Sequence, residues 1–435
     1  MTLEHQARQR KRLTATVTDL EVRRQRALLV GMATDGADLD ELARSVSELA
    51  RLTDTAGSDP VETELVRRPG IDPATFVGRG KAEELARLVE TLDIDVVVFD
   101  NDLTPAQQRN LQKLFGCDVV DRQAVILDIF AQHATSRAGS LQVELALLRY
   151  HLPRLRGKGT ELSRLGGGIG TRGPGETKLE TDRRRIQTRI STLKRELARL
   201  EETRRTQRKA RRRAGVPVVA LVGYTNAGKS TLLNRLTSAQ VLTEDRLFST
   251  LDSTVRRFTL PDGPDVVISD TVGFVRRLPH ELVEAFKSTL EEVRDADLLL
   301  HLVDASDPDP EGQIDAVRLV LAEIDAADVP ELLVLNKTDR TSPPVLTRLR
   351  NIHPDAVAIS ALTGDGIDEL VAAVADRLRD RMVLVHLQVP YEHGDVTAAA
   401  HRLGEVVACK HDTDGTVLDV RLPPEALGPF EEYRI

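Results

Sequence analysis

The stretch Gly223-Tyr224-Thr225-Asn226-Ala227-Gly228-Lys229-Ser230-Thr231 constrains this chain more than any other. It follows the apolar run Val218-Val219-Ala220-Leu221-Val222, which reads as a buried parallel strand. It precedes Leu232-Leu233-Asn234-Arg235-Leu236, which reads as the start of a helix. Strand, glycine loop and helix together make a phosphate cradle. The glycines let the backbone turn tightly and present bare N–H groups. The helix N-terminus adds further donors and the positive end of its dipole. Lys229 is then placed to reach the β- and γ-phosphates of a nucleotide, and Ser230 to ligate Mg²⁺. The competing reading is a glycine turn that binds nothing, and three later motifs disfavour it.

The first of these is Asp270-Thr271-Val272-Gly273 at the end of a strand. A carboxylate there can hold Mg²⁺ through water, and the Gly273 N–H can meet the γ-phosphate. Lys229 and Gly273 are therefore the candidate catalytic groups. The second is Asn336-Lys337-Thr338-Asp339, which ends the apolar strand Glu331–Leu335. Asp339 can accept from both N1–H and the exocyclic amine of guanine. Adenine lacks that donor pair and would leave the carboxylate unpaired, so discrimination can be large. The third is Ser360-Ala361-Leu362, a loop able to back the base with N–H groups. Each pattern alone is weak. Four of them in this order, on strand ends, form a strong signal for GTP and GDP.

A length of 435 residues suggests three or four units. Residues 1–122 alternate strand and helix patterns and imply a small parallel α/β sheet. Within them Val77-Gly78-Arg79-Gly80-Lys81 resembles half a phosphate loop. It reads first as a strand-to-helix turn, with a phosphate contact as the alternative. Residues 123–214 carry two heptad seams. Leu141, Leu145, Leu148, Leu152 and Leu155 form one; Leu179, Ile186, Ile190, Leu193, Leu197 and Leu200 form the other. An antiparallel helical hairpin would bury them against each other. Residues 215–380 form the nucleotide domain. In residues 381–435 two strands, Val383–Leu387 and Val417–Leu422, flank a helical stretch from Glu392 to Gly404, which suggests a small α+β unit.

Charge is distributed unevenly. The net charge is −8, so the whole surface does not advertise nucleic acid. Lys178–Arg213, however, holds 15 basic and 5 acidic residues. That leaves about +10 in this segment and about −18 elsewhere. Opposite signs are not interleaved after Glu202, so a polyanion would relieve self-repulsion through counterion release. Aromatics are almost absent there, which favours structured RNA over stacked single strands. The glycine-rich run between the seams, Gly157–Gly175, carries Lys158, Arg164 and Arg172. RNA contact is the first reading and a flexible linker the second. The two cysteines, Cys117 and Cys409, suggest neither a disulfide framework nor a zinc site. A polar, basic N-terminus is no signal peptide, and no apolar run approaches the ~18 residues that span a bilayer. The cytoplasm is the expected compartment, with loose membrane association as the alternative, and a monomer the expected state.

The phosphate loop and Asn336–Asp339 mark a resemblance to the P-loop GTPase superfamily. Three further stretches narrow it: Gly166-Gly167-Gly168-Ile169-Gly170-Thr171-Arg172-Gly173-Pro174-Gly175-Glu176-Thr177, Phe248-Ser249-Thr250-Leu251-Asp252 and Asp270–Phe274. From about Arg26 to the C-terminus the chain resembles the HflX family of GTPases. The resemblance implies an α/β fold in which a P-loop GTPase domain follows a small α/β domain with a helical coiled-coil hairpin and precedes a small α+β domain. It implies GTP hydrolysis, association with the large ribosomal subunit and its rRNA, and in some members the splitting of idle or stalled ribosomes under stress. It also implies Ser230 and Thr250 as Mg²⁺ ligands and Phe248–Asp252 as the first switch. Phe274 stands where Ras-like enzymes carry a water-orienting Gln, so slow intrinsic turnover accelerated by a partner is expected. Asn226 matches a position that similar GTPases use to hold K⁺; a loop-stabilising amide is the equal alternative. Leu362 stands where many such GTPases carry Lys against the base.

Overall fold

A computed structural model describes residues 24–36, 38–155, 174–213, 216–237, 248, 254–260, 265–276 and 290–435. The segment before Arg24, the glycine-rich run up to Gly173, and the first-switch residues Ser249, Thr250, Leu251 and Asp252 lie outside them. The chain divides into two compact units, Met1–Val120 and Asp121–Ile435.

The first unit is built on a four-stranded sheet of β1 (Gln25–Thr34), β2 (Ser58–Arg68), β3 (Val96–Phe99) and β4 (Asp118–Asp121), in the order β2-β1-β3-β4. β1 pairs in parallel with β2 and β3. Its run Ala27–Ala33 is buried throughout, as a strand covered on both faces requires. The helices are α1 (Leu39–Thr55), α2 (Arg79–Thr91) and α3 (Pro105–Phe115). A Cβ at Gly31 would lie 2.3 Å from Val46 Cγ2, so the glycine is what lets α1 pack down on β1. Thr104 and Gln107 form a capping box before Pro105, and Gly116 ends α3 with φ 70°. The Val77–Lys81 stretch is a turn into α2, entered from an isolated bridge at Phe76 and not from a strand, since β2 ends at Arg68. Gly78 precedes α2 with φ 82°, Lys81 pairs with Glu64 and Glu84, and Arg68 fills the space beside Gly78.

The second unit begins with α4 (Arg122–His133), α5 (Arg137–Arg154) and α6 (Pro174–Arg213). Leu141 and Leu145 of α5 bury against Leu193 of α6, joined by Leu148, Ile190, Leu197 and Leu200. Ion pairs Arg189–Glu144 (2.7 Å) and Arg137–Glu196 (3.7 Å) flank the seam. The expected hairpin seam therefore forms over these residues. The Leu179 side chain lies outside the described residues; Leu152, Leu155 and Ile186 are half-buried, as are Leu148 and Ile190 of the cluster. Leu193 is its fully buried centre. Leu193→Ala should cost about 2–4 kcal/mol, seen as a loss of unfolding free energy in urea. A change below 0.5 kcal/mol would mean that the two helices do not depend on this contact.

The nucleotide domain is a six-stranded sheet of β5 (Val218–Gly223), β6 (Thr254–Thr259), β7 (Asp265–Asp270), β8 (Leu298–Asp304), β9 (Glu331–Asn336) and β10 (Val357–Ala358), in the order β10-β9-β8-β5-β7-β6. All pairings are parallel except the β6–β7 hairpin. Among its helices are α7 (Lys229–Thr237), α8 (Pro310–Glu323), α9 (Pro343–Ile352) and α10 (Ile367–Arg379). One core, with Leu221, Leu300, Val334 and Leu370, lies on the α7/α10 side, and a second, with Val303, Ile314 and Leu349, on the other.

The C-terminal sheet has three antiparallel strands, β11 (Val383–Val389), β12 (Glu405–His411) and β13 (Thr416–Leu422), in the order β11-β13-β12, with α11 (Gly394–Leu403) packed on it. Two of these strands match the expected pair, and β12 is the third. Its register shifts between Val406 and Ala408, which breaks the alternation that would have revealed it.

Candidate nucleotide site

The site lies at the C-terminal ends of the parallel strands. β5 ends at Gly223, whose φ of 149° and close approach admit no side chain: a Cβ would lie 2.3 Å from Leu302 O of β8. The loop closes at Gly228, with φ 94° and a Cβ position only 2.2 Å from Asn336 Nδ2. Asn226 also takes a left-handed φ of 60° and is exposed. The loop thus meets the backbone demands for which glycine is suited.

Lys229 opens α7 and is buried. Its Nζ donates to Gly223 O (3.2 Å) and Tyr224 O (2.9 Å). Burial pushes this amine down to about 8, and the Asp270 carboxylate offsets only part of that. Two carbonyl dipoles do not replace the hydration of an ammonium, so the amine is held ready for a stronger anion. Beside it, Ser230 Oγ donates to Asp270 Oδ2 at 2.8 Å, and both residues are buried. A hydroxyl and a carboxylate oxygen at one point suit a hard divalent cation such as Mg²⁺. Thr250, the other expected ligand, is outside the described residues.

Thr271 Oγ1 donates to Leu221 O at 2.6 Å and fixes the turn after β7. Gly273 then runs against the phosphate loop, where a Cβ would meet Thr225 Cα at 2.9 Å and Lys229 Nζ at 3.1 Å. Val272 is buried, as is Phe274 at 1% exposure. The Phe274 backbone bonds to the loop on both sides: its N–H donates to Gly223 O (3.1 Å), and its carbonyl accepts from Thr225 N (2.8 Å).

Asn336 joins the phosphate loop to the base loop. Its Nδ2 donates to Ala227 O (2.7 Å), and its Oδ1 accepts from Ala361 N (2.9 Å). Lys337, with φ 64°, pairs with Asp304 at 2.8 Å. Thr338 N donates to Ile359 O at 3.2 Å. Ser360 Oγ donates to Asp339 Oδ1 at 2.6 Å, aligning the carboxylate expected to read guanine. Arg235 of α7 donates to the carbonyls of Ala361 and Leu362. Leu362 itself stands 63% exposed.

Phe248 is the described member of the expected first switch. It is 2% exposed with φ 59°, and its ring meets Phe130 of α4 edge-on at 4.6 Å. Three supporting residues escaped the sequence reading: Asp304, Arg235 and Arg276. Asp304 ends β8, and its place on the same sheet edge as Asn336 was the available signal. Arg235 and Arg276 act through tertiary contacts that no spacing announces.

Under the loop, His301 of β8 is fully buried, with Nδ1 2.5 Å from Glu331 Oε1. Arg318 completes the chain at 3.1 Å from Glu331. Burial lowers the His301 pKa from 6.5, outweighing Glu331, while Arg318 and Lys229 add to the lowering. Below pH 6.5 the unfolded chain takes up a proton that the fold refuses, so stability falls as pH drops. Replacing His301 with Asn should flatten that loss between pH 6.5 and 5 in thermal unfolding; an unaltered slope would assign it to other groups.

A doubly wound sheet with a phosphate loop on its central strand, and Asn336–Asp339 two strands away, defines a P-loop GTPase domain. Family models match along the chain: "GTP-binding GTPase N-terminal" over residues 43–131 and "GTP-binding GTPase Middle Region" over 133–211. "50S ribosome-binding GTPase" matches over 218–337 and "HflX C-terminal domain" over 346–429. The GTPase HflX of Caldanaerobacter subterraneus is 48% identical over 85% of this chain and 84% of its own. That of Escherichia coli is 46% identical over 90% of this chain and 91% of its own. A GTP-binding protein from Sulfolobus solfataricus, solved with GDP, superposes with a TM-score of 0.41 at 21% identity, covering 82% of this chain and 99% of that one. The chain belongs to the GTPase HflX family, and it is a GTPase. No helix among the described residues is long and apolar enough to cross a membrane.

Proposed function

We propose that the chain binds GTP at the Gly223–Ser230 loop, engages the large ribosomal subunit through its helical hairpin, and splits idle or stalled ribosomes. The buried Lys229 amine, held by two carbonyls beside the Ser230–Asp270 pair, carries the nucleotide half of this reading. Lys229 takes the β- and γ-phosphates, and Gly273 N–H meets the γ-phosphate. Ser230 and Thr250, with Asp270, would hold Mg²⁺, which would neutralise charge on the phosphates. Asp339 and the Ser360–Leu362 loop read guanine. The Phe274 ring is buried and apolar, which supports slow turnover without a partner. Asn226 is the proposed K⁺ contact; equal rates in K⁺ and Na⁺ would remove it. The segments 1–122, 123–214, 215–380 and 381–435 are the proposed functional divisions.

The ribosomal half rests on α6. Arg184, Arg185, Lys194, Arg195 and Arg199 are exposed outside the seam. A row of cations on a stiff helix suits an RNA backbone. Reversing Arg184, Arg195 and Arg199 to Glu should weaken binding to isolated large subunits and flatten its salt slope by about one per lost phosphate contact. Unchanged pelleting across salt would exclude this face. A second reading, a GTP-gated RNA-binding module, is favoured by the same surface. Measuring the GTPase rate with and without subunits, together with subunit separation, decides: stimulation with binding but no separation supports the second.

A further inference from the structure

Three hydrogen bonds fasten the segment after β7 to the phosphate loop. Two run between backbones, through Phe274 to Gly223 and Thr225. The third needs a particular side chain: the Tyr224 phenol oxygen accepts from Arg276 N at 2.8 Å. Tyr224 is 5% exposed, so water competes little for that bond. The Arg276 guanidinium is tied in turn to Asp309 Oδ2, while Asp309 Oδ1 caps α8 at Gly312 N, 3.2 Å away. Arg276 is thus held at its backbone by the phosphate loop and at its side chain by a helix end.

The phosphate-loop pattern leaves residue 224 free to vary, since its glycines, lysine and serine carry the cradle. The two backbone bonds form whatever side chain stands at 224. Only a long side chain with a terminal acceptor reaches two residues past Phe274. Gly273 lies just before this fastened stretch, with its backbone against Lys229.

We propose that Tyr224 is a positioning residue for GTP hydrolysis: its phenol clamps Phe274–Arg276 onto the phosphate loop and so fixes where the Gly273 N–H stands. This rests on the roles proposed above for Lys229 and Gly273. The Gly273 N–H meets only the γ-phosphate, so GTP senses the clamp and GDP does not.

Tyr224→Phe removes one oxygen and keeps the ring. In the full chain, single-turnover GTP hydrolysis should slow by about 3- to 10-fold, the worth of one buried hydrogen bond. Affinity for a non-hydrolysable GTP analogue should weaken by about 2- to 5-fold. GDP affinity should stay within about twofold. Equal losses for GDP and the analogue would make the phenol a mere buttress of the loop and overturn the proposal, as would unchanged hydrolysis. Lys229→Ala in parallel separates the two levels. If it keeps wild-type nucleotide affinity, the reading of the site fails and the clamp with it. If it loses affinity while Tyr224→Phe is silent, only the clamp falls.

Discussion

Replacing Lys229 with Met is expected to weaken nucleotide binding severely and to make the nucleotide-free protein more stable at pH 7. The amine titrates at about 8 in the fold against 10.5 for an ordinary lysine. A shift of that size corresponds to a penalty of about 3 kcal/mol for keeping the buried charge. The sign follows from proton counting. Between pH 8 and 10.5 the unfolded chain holds more protons than the fold, so stability rises with pH across that window. Below pH 8 the full penalty applies. Methionine removes it at similar length but leaves the Gly223 and Tyr224 carbonyls without their donor, taking back about 1 kcal/mol or more. The net gain should be about 1–2 kcal/mol at pH 7 and should vanish towards pH 10.5. GDP affinity should fall by about 100-fold or more, the usual result of removing one partner of a desolvated charge pair. Wild-type affinity should itself decline by about tenfold per pH unit above pH 8, because the neutral amine must first take up a proton. Urea unfolding at pH 7 and pH 10, with calorimetric titration of GDP, tests all three. A variant less stable than wild type at pH 7 would show that the burial is not costly.

Gly228→Ala is the second large effect. Alanine at φ 94° is strained, and its Cβ would stand 2.2 Å from Asn336 Nδ2. Asn336 cannot yield without releasing Ala227 O on one side or Ala361 N on the other. Both are buried, so each released group costs about 1–3 kcal/mol. One methyl group therefore disturbs the phosphate loop and the base loop together. Affinity for GTP and GDP should drop by about 100-fold or more, with a loss of at least about 2 kcal/mol in stability. Gly80→Ala in α2 is the matched control: no atom lies within 4 Å of its added Cβ, and φ is not in the left-handed region. It should leave stability unchanged or raise it by about 0.4–1 kcal/mol. Comparable damage from the two substitutions would show that neither the strained φ at Gly228 nor its contact with Asn336 sets the effect.

The legible parts of this chain are those whose physics is local. The glycines at 223 and 228 announce a backbone that other residues adopt poorly, and Val218–Val222 announces a strand buried on both faces. The leucines around Leu193 are equally local. What escaped the sequence depends on folding distant stretches together. Lys337 meets Asp304 from the neighbouring strand, and Asn336 reaches back across more than a hundred residues to Ala227. β12 hid because its register shift puts Val406 and Val407 out of phase with an alternating pattern.

The length of α6 has a mechanical consequence. Forty residues in one α-helix make a rod of about 60 Å. Its C-terminal end at Arg213 lies only five positions before Val218, where the strand leading into the phosphate loop begins. A tilt of about 10° at that end would carry the far end through about 10 Å, several times the width of a phosphate group. Rearrangements too small to notice around a nucleotide would thus become displacements on the scale of neighbouring helices in a large assembly.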